Sequence, residues 1–195
     1  MPPSPAHAQL LRAIREKVPL DAREAELCAQ CFVPVALRKN AVLEPQGKVP
    51  QHLYFVNAGY ARLFYPDADG HTVTTYIGGP GTFFTPFLSF VQQQPAPETA
   101  ICDTDCALLR AARPDLLALI QQSEAFKQFS LLIFEQAIAS TAARANDLAT
   151  LTAEQRYKKL LAQQPDILQH VAVQHIASYL GMKPESLSRI RRQVL

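Results

Sequence analysis

The last 25 residues, Val171–Leu195, read VAVQHIASYLGMKPESLSRIRRQVL. Val173, Ile176, Ala177 and Leu180 follow helical spacing. Gly181 can close that helix in the left-handed conformation at little steric cost. Pro184 suits the first position of a second helix. There Leu187 and Ile190 point one way, while Glu185, Ser186, Ser188, Arg189, Arg191 and Arg192 are polar. A short helix, a glycine turn and a second helix rich in side chains that reach base edges describe a helix-turn-helix. A C-terminal helical hairpin with a solvated basic face would share the same pattern.

Charge is placed unevenly around this stretch. From Arg156 onward seven Lys or Arg stand against two acids, a balance of +5, while the rest of the chain carries −3. A basic end on a chain of net charge +2 is expected of a polyanion-binding unit. The 195 residues can hold one large or two small domains, and 48% hydrophobic content supports a substantial core. The N-terminus, MPPSPAHAQ, lacks the regions of a signal peptide, and no apolar run approaches a membrane span. The expectation is a cytoplasmic protein with no membrane partner.

Upstream, helices are expected over Ala6 to Lys17 and from Leu20–Asp21 to Cys31. Val33 to Val42 turns extended. From Glu44 to Arg110 the chain shows short β-like runs punctuated by turns: His52 to Val56, Tyr60 to Tyr65, Thr72 to Ile77, and a strand pair from Thr99 to Arg110 broken near Asp103–Asp105. Such spacing suggests an antiparallel roll. Within it, Thr85 followed by Pro86 marks the start of a short helix. After Pro114 the pattern becomes helical. Asp115 to Gln121 is one short helix, and Ser123 opens a long one to about Leu148. There Phe126, Phe129, Leu132, Ile133, Phe134, Ala137 and Ile138 cover most of the circumference, so burial is needed on more than one side. A second copy of the chain is the simplest cover, with packing inside one subunit as the alternative. Thr152 with Gln155 forms a capping box for a helix from Ala153 to Gln163.

The order of these parts resembles the bacterial regulators related to the cyclic-AMP receptor protein and the fumarate–nitrate regulator, the Crp/Fnr family. The residues that carry the resemblance are GK-x4-LYFVNAG-x-ARLFY (Gly47 to Tyr65), the turn ending at Gly70, GPGTFF (Gly79 to Phe84) and IASYLGMKPESLSRIRR (Ile176 to Arg192). The resemblance implies an α+β chain in three parts. Residues 1–122 would form a cyclic-nucleotide-binding-like antiparallel β-roll with flanking helices, 123–150 a long dimerisation helix, and 151–195 a helix-turn-helix domain. Only about eight residues, Gln164 to Val171, stand where full-length relatives carry a β-hairpin wing, so a reduced wing is expected. The implied partners are double-stranded DNA, a second copy through residues 123–150, and a small-molecule effector of unknown identity.

By resemblance, Glu185 and Arg189 occupy base-reading positions. Arginine can bond guanine O6 and N7 together, and glutamate can accept from cytosine N4. Pro184 stands where the cyclic-AMP receptor protein has another base-reading arginine. Ser186 and Ser188 can reach phosphate or bases. Lys183, Arg191 and Arg192 read as phosphate contacts, which set affinity and salt dependence rather than sequence. Gln174 and His175 are placed near the DNA backbone.

The ligand pocket departs from the family. Cyclic-nucleotide binders carry a glutamate for the ribose after a Phe-Gly position and an arginine for the phosphate in a downstream Arg-Ser-Ala or Arg-Thr-Ala. Here Phe84 is followed by Thr85 and Pro86, and the downstream triplet is Glu98-Thr99-Ala100. Like charges about 4 Å apart at an effective dielectric of about 20 repel by roughly 4 kcal/mol. The degenerate pocket, Phe84, Thr85, Pro86, Glu98, Thr99 and Ala100, is therefore expected not to take cyclic AMP.

Two other readings stand beside the regulator. One is a ligand- or partner-binding module without specific DNA binding. The other is an iron–sulfur or redox sensor through Cys28 and Cys31 with Cys102 or Cys106, which would need four thiolates within a few ångströms. Small buried cysteines explain the same residues. No cofactor or metal is expected. The scattered histidines lack a His-x-His pair, and neither a nucleophile elbow nor a phosphate loop occurs, so no catalytic residues are assigned.

Overall fold

The structure is a computed structural model that describes residues 2–194 and the side chains of residues 2–193. Met1 and Leu195, the outer ends of the first and last expected segments, lie outside the described residues. A 3-10 turn at Pro5–His7 leads into α1 (Ala8–Arg15), and α2 follows over Ala22–Cys31. Asp21 caps α2 by accepting from the Glu24 amide at 2.7 Å.

Eight strands follow: β1 (Val33–Leu37), β2 (Val42–Glu44), β3 (His52–Ala58), β4 (Ala61–Pro66), β5 (Thr72–Gly78), β6 (Phe83–Phe84), β7 (Thr99–Cys102) and β8 (Cys106–Ala112). They form two antiparallel sheets, ordered β1-β8-β3-β6 and β2-β7-β4-β5. β3 is apolar on both sides because both of its faces are covered. Tyr54 and Val56 point between the sheets, where they meet Leu63, Phe84, Ala100 and Leu108. Leu53 and Phe55 point outward, into a second core with the N-terminal helices. The tight β3–β4 turn depends on Gly59, at φ +87°, where a Cβ would lie 2.2 Å from the Asp105 carbonyl.

α3 (Phe87–Gln92) lies within the roll, and α4 (Arg113–Gln122) leads to the 27-residue α5 (Glu124–Thr150). Ser123 caps α5, accepting from the Phe126 amide at 3.0 Å. Glu24 accepts from the Ser123 hydroxyl at 2.8 Å and from the Ala125 amide at 3.0 Å, tying the start of α5 to α2. Phe126 and Phe129 are buried against the first sheet, whereas Leu131 and Ile138 are 57% and 71% exposed. The chain then forms α6 (Ala153–Gln163), α7 (Ile167–His170), α8 (Val173–Tyr179) and α9 (Pro184–Val194). Where a wing would stand, a single helical turn, α7, connects α6 to α8.

The C-terminal helices have their own core of Tyr157, Leu160, Ile167, Ile176, Leu180, Leu187 and Ile190. Tyr60 and Ile77, from the outer face of the second sheet, belong to that core. The molecule is therefore layered in the order helices, first sheet, second sheet, C-terminal helices.

Among the expected elements, the α3 start differs. Thr85 does not cap the helix. Its hydroxyl donates to the His52 carbonyl at 2.9 Å, and Pro86 takes the cap position. A proline cannot cap through its side chain, so α3 begins without one. The 6–17 helix is divided into a 3-10 turn and α1. There the His7 ring accepts the Ser4 amide at 3.0 Å and pairs with the Phe32 carbonyl at 2.8 Å.

Candidate nucleic-acid interface and the roll interior

α8 and α9 are joined through Gly181, at φ +65°. Its amide donates to Ser178 and the Met182 amide to Ala177, so the end carbonyls of α8 are satisfied. Leu187 and Ile190 seat α9 on the C-terminal core. Helical periodicity then turns Glu185, Arg189 and Arg192 outward, and all three are exposed. An open concavity on this face is lined by Glu185, Ser186, Arg189, Arg192 and Gln193. Lys183 is exposed in the turn before α9, and Ser188 is half-buried at its flank.

Arg191 is placed differently from its neighbours. It lies beside α6, where its charge opposes the burial that pushes the Tyr157 phenol up. Gln193 joins the outward face although the sequence reading did not single it out. Its position four residues after Arg189 was the available signal. His175 does not face outward. Its Nδ1 lies 2.9 Å from one Asp103 carboxylate oxygen and 3.1 Å from the other. Burial alone would push the Asp103 carboxyl up, but hydrogen bonds and charge from His175 and Arg62 hold it below the ordinary range.

The expected ligand-pocket residues are each engaged within the fold. Phe84 and Ala100 lie in the core between the sheets. Phe84 stacks on Tyr76 with ring centroids 6.0 Å apart, so side chains occupy that space. Thr85 is engaged by His52, Pro86 is buried at the head of α3, and the Thr99 hydroxyl accepts from the Gln46 amide at 3.2 Å. Glu98 accepts from the Thr75 hydroxyl at 2.5 Å. Burial pushes the Glu98 carboxyl up, while the Thr75 hydrogen bond and the Arg144 charge act against it; the net direction is up.

The four cysteines sit in two separate cores. Cys28 and Cys31 pack among the N-terminal helices, with thiols pushed up to about 12 chiefly by burial. Cys102 and Cys106 lie between the sheets. This arrangement does not bring four thiolates to one point. Asp67, Asp69 and His71 come together on the exposed β4–β5 turn.

Residues 34–123 match the cyclic nucleotide-binding domain family. Among curated proteins none matches the chain by sequence. Solved structures share its architecture at low identity. FixK2 from Bradyrhizobium japonicum has a TM-score of 0.72 at 17% identity, with 84% of each chain covered. The catabolite activator protein of Thermus thermophilus has a TM-score of 0.58 at 24% identity, covering 93% of this chain and 86% of that one. A protein from Eubacterium rectale assigned to the Crp/Fnr family of transcriptional regulators has a TM-score of 0.64 at 14% identity, covering 89% and 83%. No helix among the described residues is long and apolar enough to cross a membrane. Residues 34–123 are thus similar to the cyclic nucleotide-binding domain family, within an architecture that the chain shares with these solved structures.

Proposed function

We propose that this chain is a cytoplasmic, homodimeric DNA-binding transcription regulator of the Crp/Fnr type whose roll does not use cyclic AMP. The observation that carries the reading is the outward face of α9. Glu185, Arg189 and Arg192 stand together on a helix seated by Leu187 and Ile190 behind a glycine turn. Arg189 and Glu185 offer complementary base-edge chemistry, and Gln193 adds a group able to bond adenine. Lys183 and Arg192 serve as phosphate contacts, while Arg191 acts from the flank.

The dimer is supported by α5. Leu131, Phe134, Ile138, Thr141, Ala145 and Leu148 recur at alternating spacings of three and four. Between Gln128 and Asn146 the helix carries only Glu135 and Arg144 as charges. Leaving this face in water is unfavourable, and a copy of the same seam is a self-complementary cover. Two α9 helices in a two-fold dimer would read half-sites about 34 Å apart.

Selection of DNA sites from a random pool tests the reading. A two-fold symmetric sequence should be enriched, and Arg189→Ala should weaken its binding by about 1–3 kcal/mol. Unchanged binding would remove Arg189 from the interface. Sedimentation of Ile138→Glu should give a monomer where the parent is a dimer.

A further inference from the structure

The outer face of the second sheet is polar where α8 covers it. Arg62 on β4 and Thr74 on β5 are 5% and 0% exposed, and Asp103 in the β7–β8 turn is 5% exposed. The Arg62 Nε donates to Asp103 at 3.0 Å, and His175 of α8 completes the cluster. Further along the strand, the Ser178 hydroxyl accepts from the Thr74 amide at 2.9 Å and donates to the Thr72 carbonyl at 3.1 Å. Gln164 donates to the Ile77 carbonyl at 3.3 Å, and the Tyr60 ring stacks on His170 at 5.5 Å.

β5 is an edge strand, so its outward backbone groups lack a partner strand. α8 and α6 satisfy them with side chains instead of a ladder. Among the described residues, Tyr60 and Ile77 are the sheet-side members of the C-terminal core. Most of these polar contacts can be exchanged for water at small net cost, and polar interfaces between units of one chain permit relative motion.

The covering element is also the one that DNA needs. The first helix of a helix-turn-helix crosses the sugar–phosphate backbone, and its polar side chains contact phosphate. His175 is such a side chain, and here a carboxylate holds it. Asp103 presents an anionic oxygen pair to the imidazole much as a phosphate would, with Arg62 fixing it from behind.

We propose that the Arg62–Asp103 pair and the β5 edge form an autoinhibitory dock for α8, so that docking on the roll and full engagement of DNA exclude each other. This rests on the DNA-binding reading above. Apparent DNA affinity is then reduced by the fraction of molecules that are undocked. Whatever moves α8 off the sheet raises that affinity without touching α9.

Cysteines at residues 72 and 178 test this directly. Thr72→Cys with Ser178→Cys is closed by a short bis-methanethiosulfonate, which joins each thiol through a reducible disulfide, and the DNA is the sequence selected by the parent chain. The closed protein should bind at least about tenfold more weakly than the same protein after reduction, the equivalent of about 1.4 kcal/mol. Asp103→Asn, which keeps the shape of the side chain and lies outside the DNA-contacting residues, should bind several-fold more tightly than the parent. Equal affinity of closed and reduced protein, with the parent binding normally, would overturn the dock and leave the regulator intact. Failure of the parent chain to enrich any sequence would overturn both.

Discussion

The Arg144 guanidinium lies over the Tyr179 ring, 5.1 Å from its centroid, and donates to the Tyr179 carbonyl at 3.1 Å. The same nitrogen donates to the Thr74 carbonyl at 3.3 Å. One side chain of α5 thus holds both the edge of the second sheet and the end of α8. Arg144→Ala removes a charged donor from two carbonyls and should cost about 2 kcal/mol of stability. Urea denaturation of parent and variant measures it. A midpoint shift near zero would mean that solvent already replaces these contacts.

Glu98 sets a pH dependence of opposite sign to an ordinary ion-paired carboxylate. Its folded pKa is raised, chiefly by burial, so the folded chain holds the proton more tightly than the unfolded chain does. This group's contribution to stability therefore falls as pH rises from the ordinary glutamate range through the raised value. Glu98→Gln keeps an acceptor for the Thr75 hydroxyl and removes the charge. It should be more stable than the parent at about pH 7, and the advantage should shrink at about pH 4. Denaturation midpoints at the two pH values decide; a less stable variant at neutral pH would contradict the sign.

Gly181 is constrained twice over. Its φ is +65°, and a Cβ there would lie 2.8 Å from the Leu148 Cδ2. Gly181→Ala should destabilise the chain by more than about 1 kcal/mol. Adding Leu148→Ala should return only the steric part of the loss, because the left-handed backbone remains. Comparing single and double variants by thermal unfolding separates the two parts. Complete recovery in the double variant would show that backbone strain contributes nothing.

Thr152 and Gln155 cap α6 reciprocally, at 3.3 Å and 2.9 Å. Thr152→Ala should cost about 1 kcal/mol, and Thr152→Ser much less. Because α6 supplies Tyr157 and Leu160 to the C-terminal core, hydrogen exchange in α8 and α9 should rise with the loss of the cap. Unchanged exchange there would show that the helices unfold independently.

What could be read from the sequence was governed by local signals. Gly181 requires a positive φ, Thr152-x-x-Gln155 states its own hydrogen bonds, and the Asp103–Asp105 break falls between β7 and β8 as expected. β3 was legible as a short β-like run, although the two cores it serves were not. Local reasoning misplaced Thr85, whose hydroxyl serves His52 instead of α3. It also could not assign Arg191 to the α6 side or bring His175 to Asp103, 72 residues away. Burial of Arg62 has no signature within β4 itself, because the group that covers it comes from α8. The pocket residues lie on β6, β7 and the connections beside them, and which side chains fill the space among them follows from strand register, which short motifs do not fix.

One irregularity of β5 reaches further than its size. Leu63 pairs with Tyr76 and Phe64 with Thr74, which leaves Thr75 as an extra residue in a β-bulge. Tyr76 points between the sheets, and the bulge lets Thr74 face outward to Arg62. Removing this single codon would restore a regular ladder with the same pairs, so Thr74 and Thr72 would keep their facing. What the extra residue supplies is Thr75 itself, whose hydroxyl donates to the Glu98 carboxylate. In evolutionary terms, a one-residue deletion here would strip Glu98 of its hydroxyl partner while leaving the contacts of Thr72 and Thr74 with Ser178 in register.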